Sequence, residues 1–373
     1  MRVYGAISVI GRLIRLSFWG AIAFLAWAAW ILLQPVADAR VPYEFTVRRG
    51  QSLSGVVHEL AARGAIVQPW VLTAYGRLTG QAAQIKPGVY RVEQPLSPYA
   101  LFNKMVSGDR LLVKVTLIEG WNLDQVRAVL ARQDHLVHES AALSGRALAQ
   151  HLGGDYPNAE GLLFPDTYYL GAGEGDLALM RQAAHAMQDY LAQAWEKRAP
   201  NLPYRNAYEA LIMASIIEKE TGAAVERPEI AAVFINRLRI GMPLQTDPTV
   251  IYGLGARFDG DLRRADLRAD TVYNTYTRRG LPPTPIAMPG QAAIAAALHP
   301  TDSKALYFVA KGDGTHQFSA TLDAHNRAVR QYQRRAVPAV AKPVTKSKAK
   351  PLAKSLTKSL TKPVKKRTQR EAR

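Results

Sequence analysis

An uncharged apolar run near the N-terminus constrains this chain more than any other feature. Residues 16–33 (LSFWGAIAFLAWAAWILL) carry no charge and come close to the roughly twenty residues with which a helix spans a bilayer. Three arginines precede the run: Arg2, Arg12 and Arg15. Because positive residues favour the cytoplasmic side, the sequence predicts a cytoplasmic N-terminus (1–15) and a single transmembrane helix (16–34). The rest would then lie outside the cytoplasmic (inner) membrane, in the periplasm.

A cleaved signal peptide is the alternative to a retained anchor. Ala37, Asp38 and Ala39 form a small-residue cleavage motif of the usual kind. The apolar run is longer than the roughly 7 to 15 residues of a signal peptide, which favours the anchor. Both interpretations export the following domain.

The charge of the chain is concentrated at its C-terminus. The formal net charge is +18 over 373 residues, and from Lys342 onward nine Lys and three Arg face one acid, Glu371. Residues 336–373 have too few apolar side chains to offset the entropy of ordering, so this Lys-rich tail is predicted to be disordered. Outside the cytoplasm its expected partners are anionic lipids or wall polymers rather than nucleic acid.

The sequence gives little evidence for a metal site or a reactive thiol. The chain has no cysteine. His135 and His138 are three residues apart, but no third ligand lies nearby. We therefore expect no metal site and no cofactor.

The segment from Val41 to about residue 110 predicts a small α+β domain. A strand at 44–47 leads into a helix that ends near Ala62, a second helix covers Pro69–Leu78, and residues 85–90 predict a turn into a strand. This layout resembles the LysM-like module, which binds N-acetylglucosamine polymers. A small scaffold domain without a sugar site is the alternative.

Residues 206–220 (NAYEALIMASIIEKE) carry the strongest chemical signal. Asn206 and Glu209 are spaced as a capping box, and Thr221 and Gly222 predict the end of the helix. Because the helix is apolar nearly all round, it should be buried. Glu218, Lys219 and Glu220 nevertheless stand in its last turn.

A buried charge needs either a partner or a function. Glu218 shares a helix face with Leu211, Ala214 and Ser215, whereas Glu220 lies behind Met213 and Ile216. A carboxyl group in such surroundings holds its proton more tightly, which suits a general acid. Periodicity alone does not choose between the two glutamates, nor does it exclude a structural ion-pair network.

Several motifs resemble those of the endolytic murein transglycosylases, the YceG-like family. They are residues 214–221 (ASIIEKET), 233–238 (VFINRL), 244–252 (LQTDPTVIY), 273–276 (YNTY), 280–283 (GLPP) and 306–310 (LYFVA). Together they predict a larger catalytic domain at 111–335. Thr284 and Met288 depart from the family pattern, where Gly, and Asn or Thr, are usual. The Lys-rich tail is not a family feature.

The resemblance implies a peptidoglycan lytic transglycosylase whose catalytic residue is the first glutamate of the triplet, here Glu218. Such an enzyme cleaves the MurNAc–GlcNAc bond of nascent glycan strands, leaves 1,6-anhydro-MurNAc ends and terminates glycan elongation. Wall-synthesis enzymes are its expected protein partners. A glycan-binding anchor with a degenerate catalytic domain is the alternative, but the intact glutamate cluster argues against it.

The remaining polar motifs supply candidate glycan contacts. We predict substrate contacts for Glu220, Gln245, Asp247, Thr249, Tyr273, Asn274 and Tyr276. Loop stabilisation is the alternative for each of them. The expected fold class is α+β: a helical catalytic body with one small sheet that contains both residues 111–117 and residues 306–309.

Overall fold

A computed structural model describes residues 3–36, 40–220 and 222–332 of the chain. Several predicted features lie outside the described residues. They are Arg2, the 37–39 cleavage motif, Thr221 and the predicted 336–373 tail.

The chain begins with a long helix, α1 (Val3–Leu33). Its segment Arg12–Leu33 is long and apolar enough to cross a membrane, judged by length and composition, and none of the residues in the most apolar part of that segment is buried inside the protein. This segment contains nearly all of the predicted 16–34 span. An apolar helix near the N-terminus is common to membrane anchors and signal sequences.

The small domain follows α1 and has the predicted order of strand, two helices and strand, with one more helix added. Its elements are β1 (Tyr43–Val47), α2 (Leu53–Ala62), α3 (Pro69–Leu78), β2 (Gly88–Val92) and α4 (Pro98–Ser107). β1 pairs antiparallel with β2, so that Phe45 faces Tyr90. Ser52 caps α2 and Ser97 caps α4 through their hydroxyls. The helices pack on this two-stranded sheet, and the small domain has a hydrophobic core of its own.

The end of α1 packs on this small domain. Leu32 contacts its core. The Trp70 ring of α3 stacks on Trp27 and Phe24 of α1, with ring centroids 5.8 Å and 6.1 Å apart. The last turns of α1 are thus part of the folded domain.

The larger domain is mostly helical, as expected, and its core extends from Val113 to Leu298. Its first half contains β3 (Leu112–Thr116), α5 (Leu123–Leu130), α6 (Gly145–His151), β4 (Thr167–Gly171), α7 (Asp176–Glu196) and α8 (Ala207–Glu220). Its second half contains α9 (Arg227–Arg239), α10 (Asp247–Leu254), α11 (Arg264–Arg268), α12 (Gln291–Leu298), β5 (Tyr307–Ala310), β6 (His316–Ser319) and α13 (Leu322–Tyr332).

The expectation of one small sheet was wrong. β3 pairs with β4, β5 pairs with β6, and both are separate antiparallel pairs. β5 and β6 are joined by a short turn, so their pairing is local. β3 instead finds a partner 51 residues further on, with Thr116 opposite Thr167. Side-chain alternation identifies a strand but not its partner.

Two helix boundaries in the larger domain bear on the site. Helix α5 ends at Leu130. Helix α10 begins at Asp247, with Pro248 in its first turn. Proline suits that position because its fixed φ matches the helix and its missing N–H would have no partner there.

Candidate active site

Helix α8 carries the candidate catalytic glutamates and is buried from Glu209 to Ile217, as its apolar sequence predicted. It packs chiefly against α12, with α7, α9 and α10 around it. Asn206 accepts a hydrogen bond from the Glu209 N–H at 3.0 Å. The predicted capping box is only half formed, since the Glu209 carboxylate accepts from the Arg205 N–H at 2.7 Å and pairs with the Arg205 guanidinium.

Glu218 is held by two partners that sit on different carboxylate oxygens. Arg227, the first residue of α9, donates from Nη2 to Oε1 at 3.1 Å, and the Gly290 N–H donates to Oε2 at 2.9 Å. The side chains of Glu218 and Arg227 are 5% and 12% exposed. The carboxylate therefore has a fixed orientation and a charged partner in a nearly buried setting.

Two glycines lie beside Glu218. Gly290 also lies against the Glu119 carboxylate, so a Cβ at this position would clash with Glu119 Oε1. A Cβ at Gly120 would lie 3.8 Å from Glu218 Cγ. Backbone bonds join the two segments: the Gly120 N–H donates to Met288 O at 2.8 Å, and the Met288 N–H donates to Trp121 O at 2.7 Å. The segment that departs from the family pattern at Met288 thus forms a wall beside Glu218.

Glu220 faces a different part of the molecule. It accepts a short hydrogen bond from the Thr246 hydroxyl. Burial raises its pKa, partly offset by that hydrogen bond and by the charges of His316 and Arg237. Glu220 has no direct hydrogen bond to Glu218 among the described contacts. Two residues of helix turn them about 200° apart, so Glu220 does not orient its neighbour by contact.

A polar cavity of about 560 Å³ opens beside Glu220. Three predicted contact residues, Gln245, Asp247 and Tyr276, line it with Glu220. The Tyr276 hydroxyl donates to Asp247 Oδ1 at 2.6 Å. Gln245 has a left-handed backbone (φ 51°), which is uncommon for a side-chain-bearing residue. The structure therefore brings these four residues together.

The other three predicted contact residues have their polar groups bound inside the protein. Asn274 is fully buried and donates from its amide to the carbonyls of Asp266, Leu267 and Ala269. Thr249 is also fully buried and bonds the Thr246 carbonyl. The structure gives these side chains the loop-stabilising role that was the alternative for each.

Tyr273 lies away from the cavity. Its hydroxyl bonds the Thr284 hydroxyl at 2.9 Å, and its ring packs edge-on against Tyr252. Thr284 is itself buried and also donates to the Pro285 carbonyl at 2.8 Å. The unusual threonine is thus accommodated by pairing with a tyrosine.

Sequence reasoning missed four residues that line the same cavity: Arg237, Tyr307, His316 and His325. Arg237 donates to the Leu306 carbonyl at 2.7 Å and lies over the Tyr307 ring. His316 pairs with Glu226 at 2.7 Å. Both Arg237 and Tyr307 fall within motifs quoted above. The sequence of a motif does not show whether such a side chain points toward Glu220 or away from it. The fold alone brings them to Glu220.

Glu160 was missed as well, and it is almost completely buried. It accepts from the Leu123 N–H with both oxygens, at 3.1 and 3.0 Å, and from the Tyr252 hydroxyl at 3.0 Å. Burial raises its pKa from 4.5 to about 7. Because Leu123 begins α5 and Tyr252 belongs to α10, Glu160 ties the segment after Gly120 to the helix that starts at Asp247.

A fixed, nearly buried glutamate at the end of a buried helix, with a polar cavity beside the second glutamate of the same turn, is typical of an enzyme that works by acid–base chemistry. The model of the YceG-like family matches residues 45–331. The chain belongs to that family.

Named relatives agree with this assignment. A protein of Bacillus subtilis (strain 168) named endolytic murein transglycosylase is 31% identical over 324 residues, 81% of this chain and 88% of that protein. One of the same name from Streptococcus pneumoniae serotype 2 is 26% identical over 359 residues, 85% of this chain and 64% of that protein. A crystal structure of a YceG-like protein from Listeria monocytogenes is 28% identical, has a TM-score of 0.49, and covers 77% of this chain and 98% of its own.

Proposed function

We propose that this chain is an endolytic peptidoglycan transglycosylase with Glu218 as its catalytic acid and base. The observation that carries the proposal is the Glu218 carboxylate, fixed by Arg227 and the Gly290 N–H at the end of a buried helix. Family membership and the names of the relatives support peptidoglycan as the substrate.

The reaction needs only one carboxyl group. Protonated Glu218 gives its proton to the glycosidic oxygen as the bond from C1 of MurNAc to GlcNAc breaks. The 6-hydroxyl of the same MurNAc attacks C1, and the Glu218 carboxylate accepts the hydroxyl proton, which leaves a 1,6-anhydro-MurNAc end. Hydrolases use a second carboxylate to activate water or to attack the sugar. Here no water enters.

Arg227 and Gly290 are placed to stabilise the deprotonated form of Glu218, which exists midway through the proposed reaction. After Glu218 has given up its proton, a guanidinium and a backbone N–H each hold one of its oxygens. Charge-assisted bonds of this kind are stronger than neutral ones. They stabilise the carboxylate while the sugar carries positive charge, and they keep it aimed at the reacting atoms.

The proposed glycan-binding site is the cavity beside Glu220. We propose that Glu220, Gln245, Asp247 and Tyr276 contact the sugar hydroxyls and N-acetyl groups, since all four line it. Three further residues stabilise the neighbouring segments through hydrogen bonds within the protein and do not contact the sugar. They are Thr249, Asn274 and Tyr273. The small domain, with its LysM-like element order, is proposed to bind glycan as well.

We further propose that α1 anchors the enzyme in the inner membrane with its N-terminus inside and its folded domains in the periplasm. Arg12 and Arg15 precede the apolar run, as the positive-inside rule requires. An anchored enzyme reaches strands close to the membrane, where they are newly made, so cleavage there terminates elongation. Wall-synthesis enzymes are its proposed neighbours, and the 336–373 tail is proposed to contact anionic lipids or wall polymers.

Mass spectrometry of the products tests the reaction. Purified glycan strands should yield ends of the anhydro form, which lack one water relative to reducing ends. Reducing ends would replace the transglycosylase by a hydrolase, and unchanged strands with retained binding would favour a non-catalytic anchor. A periplasm-dependent reporter fused after Tyr332 should be active, and activity of a cytoplasm-dependent reporter would overturn the topology.

A further inference from the structure

The Glu119 carboxylate lies beside the proposed catalytic glutamate, and the proposed proton-transfer cycle does not use it. It occupies the space that a side chain at Gly290 would need. The Gly290 N–H donates to Glu218 Oε2 at 2.9 Å, so the two carboxylates contact the same glycine. Standard bond lengths then place them within about 7 Å of each other. Pairs of carboxyl groups that act on one sugar in glycosidases lie about 5 to 9.5 Å apart.

Glu119 has no partner that would explain its position as structural. It is exposed, and within the described part of the chain its carboxylate forms no hydrogen bond and no ion pair. Lys219 reaches the same turn but donates from Nζ to the Gly120 carbonyl at 3.2 Å. The Glu119 carboxylate is therefore free to meet a ligand.

The backbone holds Glu119 in place although its side chain is free. The next residue, Gly120, has a left-handed backbone (φ 77°), which a side-chain-bearing residue would adopt only with strain. Its N–H donates to the Met288 carbonyl at 2.8 Å, and the Met288 N–H donates to the Trp121 carbonyl at 2.7 Å. The turn that carries Glu119 is thus bonded to the segment that leads to Gly290. Electrostatic stabilisation of a reaction depends on charges that are fixed in advance in this way.

The proposed reaction develops a charge that its other residues do not balance. Positive charge forms on the MurNAc ring as the glycosidic bond breaks, and Arg227 places a second positive charge beside Glu218. The one negative charge that Glu218 acquires on losing its proton is shared between these two. A second carboxylate that stays ionised would stabilise the ring, and more strongly once the sugar excludes water from the site.

We infer that Glu119 is a second catalytic carboxylate, which contacts the MurNAc ring next to Gly290 and stabilises the positive charge on that ring in the transition state. The inference rests on the proposed transglycosylase activity. Glu119 transfers no proton and forms no bond to C1. The attack of the 6-hydroxyl and the path of the proton through Glu218 are therefore unchanged.

Another glutamate of the larger domain provides a matched control. The Glu139 carboxylate is also exposed, and it occupies the space that a side chain at Gly175 would need. Gly175 is the N-cap of α7, as Gly290 is the N-cap of α12. Both glutamates therefore share any stabilisation that an anion gives to a helix N-terminus. Only Gly290 also binds an oxygen of Glu218.

The test compares Glu119→Gln with Glu139→Gln in the full-length protein, by steady-state kinetics on purified glycan strands normalised to folded protein. Glu119→Gln removes the charge and keeps the size of the side chain, so kcat should fall about ten- to a hundredfold while KM changes by less than about threefold. Glu119→Asp, which keeps the charge, should retain more activity than Glu119→Gln. Glu139→Gln should keep the wild-type kcat. Thermal unfolding should be alike in the two Gln variants, because neither carboxylate has a bonded partner within the described residues.

This inference and the proposed function fail in different ways. If the wild-type protein forms anhydro ends and Glu119→Gln has the same kcat as Glu139→Gln, the inference is wrong while the proposed function stands. A higher KM with unchanged kcat would make Glu119 a ground-state sugar contact and overturn its role in the transition state. Reducing ends from the wild-type protein would reject the transglycosylase, and this inference with it.

Discussion

Replacing Glu218 by Gln tests the mechanism most directly. Gln keeps the size of the side chain but has no proton to transfer, and general acid–base catalysis is typically worth about a hundredfold to ten-thousandfold. Because Glu218 acts as both acid and base in the proposed cycle, we expect the loss to reach or exceed the upper end. The assay is release of anhydro-MurNAc ends, normalised to folded protein.

The structure also sets a stability cost for this substitution. Glu218 uses separate oxygens for Arg227 and for the Gly290 N–H, and the single oxygen of Gln cannot serve both. One unmade bond to a buried group costs about 1 to 3 kcal/mol. A fully unpaired Arg227 would cost about 3 to 5 kcal/mol. The substitution is therefore not neutral for stability, although Gln is close to Glu in size.

Arg227→Gln provides the matched control because it breaks the same ion pair and leaves the carboxylate in place. It should lose stability to a similar extent but keep clearly more activity per folded molecule than Glu218→Gln. Glu220→Gln, on the other face of α8, should be milder than Glu218→Gln. Equal losses of activity in Glu218→Gln and Arg227→Gln would indicate that Glu218 has a structural role only. A folded Glu218→Gln protein that still forms anhydro ends would refute the mechanism.

Three further predictions concern the surroundings. Folding favours protonated Glu160 (pKa about 7 against 4.5), so its stabilising effect is complete below about pH 4.5 and is lost as the pH rises to about 7. At about 1.4 kcal/mol per pKa unit, this lowers the free energy of unfolding by about 3 kcal/mol across the window. Glu160→Gln should flatten that dependence in thermal unfolding scans, and an unchanged slope would exclude Glu160 as its source. Asp247→Asn and Tyr276→Phe should raise KM for glycan strands more than they lower kcat, whereas a pure kcat effect would place this pair in the chemical step. Deleting residues 342–373 should leave turnover of soluble glycans intact and weaken attachment to anionic vesicles at low salt; a large loss of turnover would make the tail part of the enzyme.

Local patterns predicted the local structure well. Pro69 in the first turn predicted the start of α3, and its bounds, Pro69–Leu78, are those expected from the sequence. The apolar circumference of α8 predicted its burial. Helical periodicity also placed Glu218 and Glu220 on different faces, and their separate partners confirm this.

Features that depend on distant partners could not be predicted. Nothing in the sequence of β3 identifies residues 167–171 as its partner, because pairing depends on how the intervening helices pack. Asn274 looked like a sugar contact, since an amide suits either role, but its three backbone carbonyl partners make it a loop brace. The pairing of Arg227 with Glu218 likewise requires the turn between α8 and α9, which no local pattern describes.

The division of α8 into two faces has a consequence for inhibition. On the proposal that the 560 Å³ cavity beside Glu220 binds glycan, a small molecule that fills it would compete with substrate without touching the Glu218 carboxylate, which is nearly buried on the other side of the helix. Its affinity would depend on residues such as Gln245 and Asp247, which can change without loss of the reacting group. Resistance by substitution in the cavity should therefore arise more easily than resistance to a compound that engages Glu218 itself.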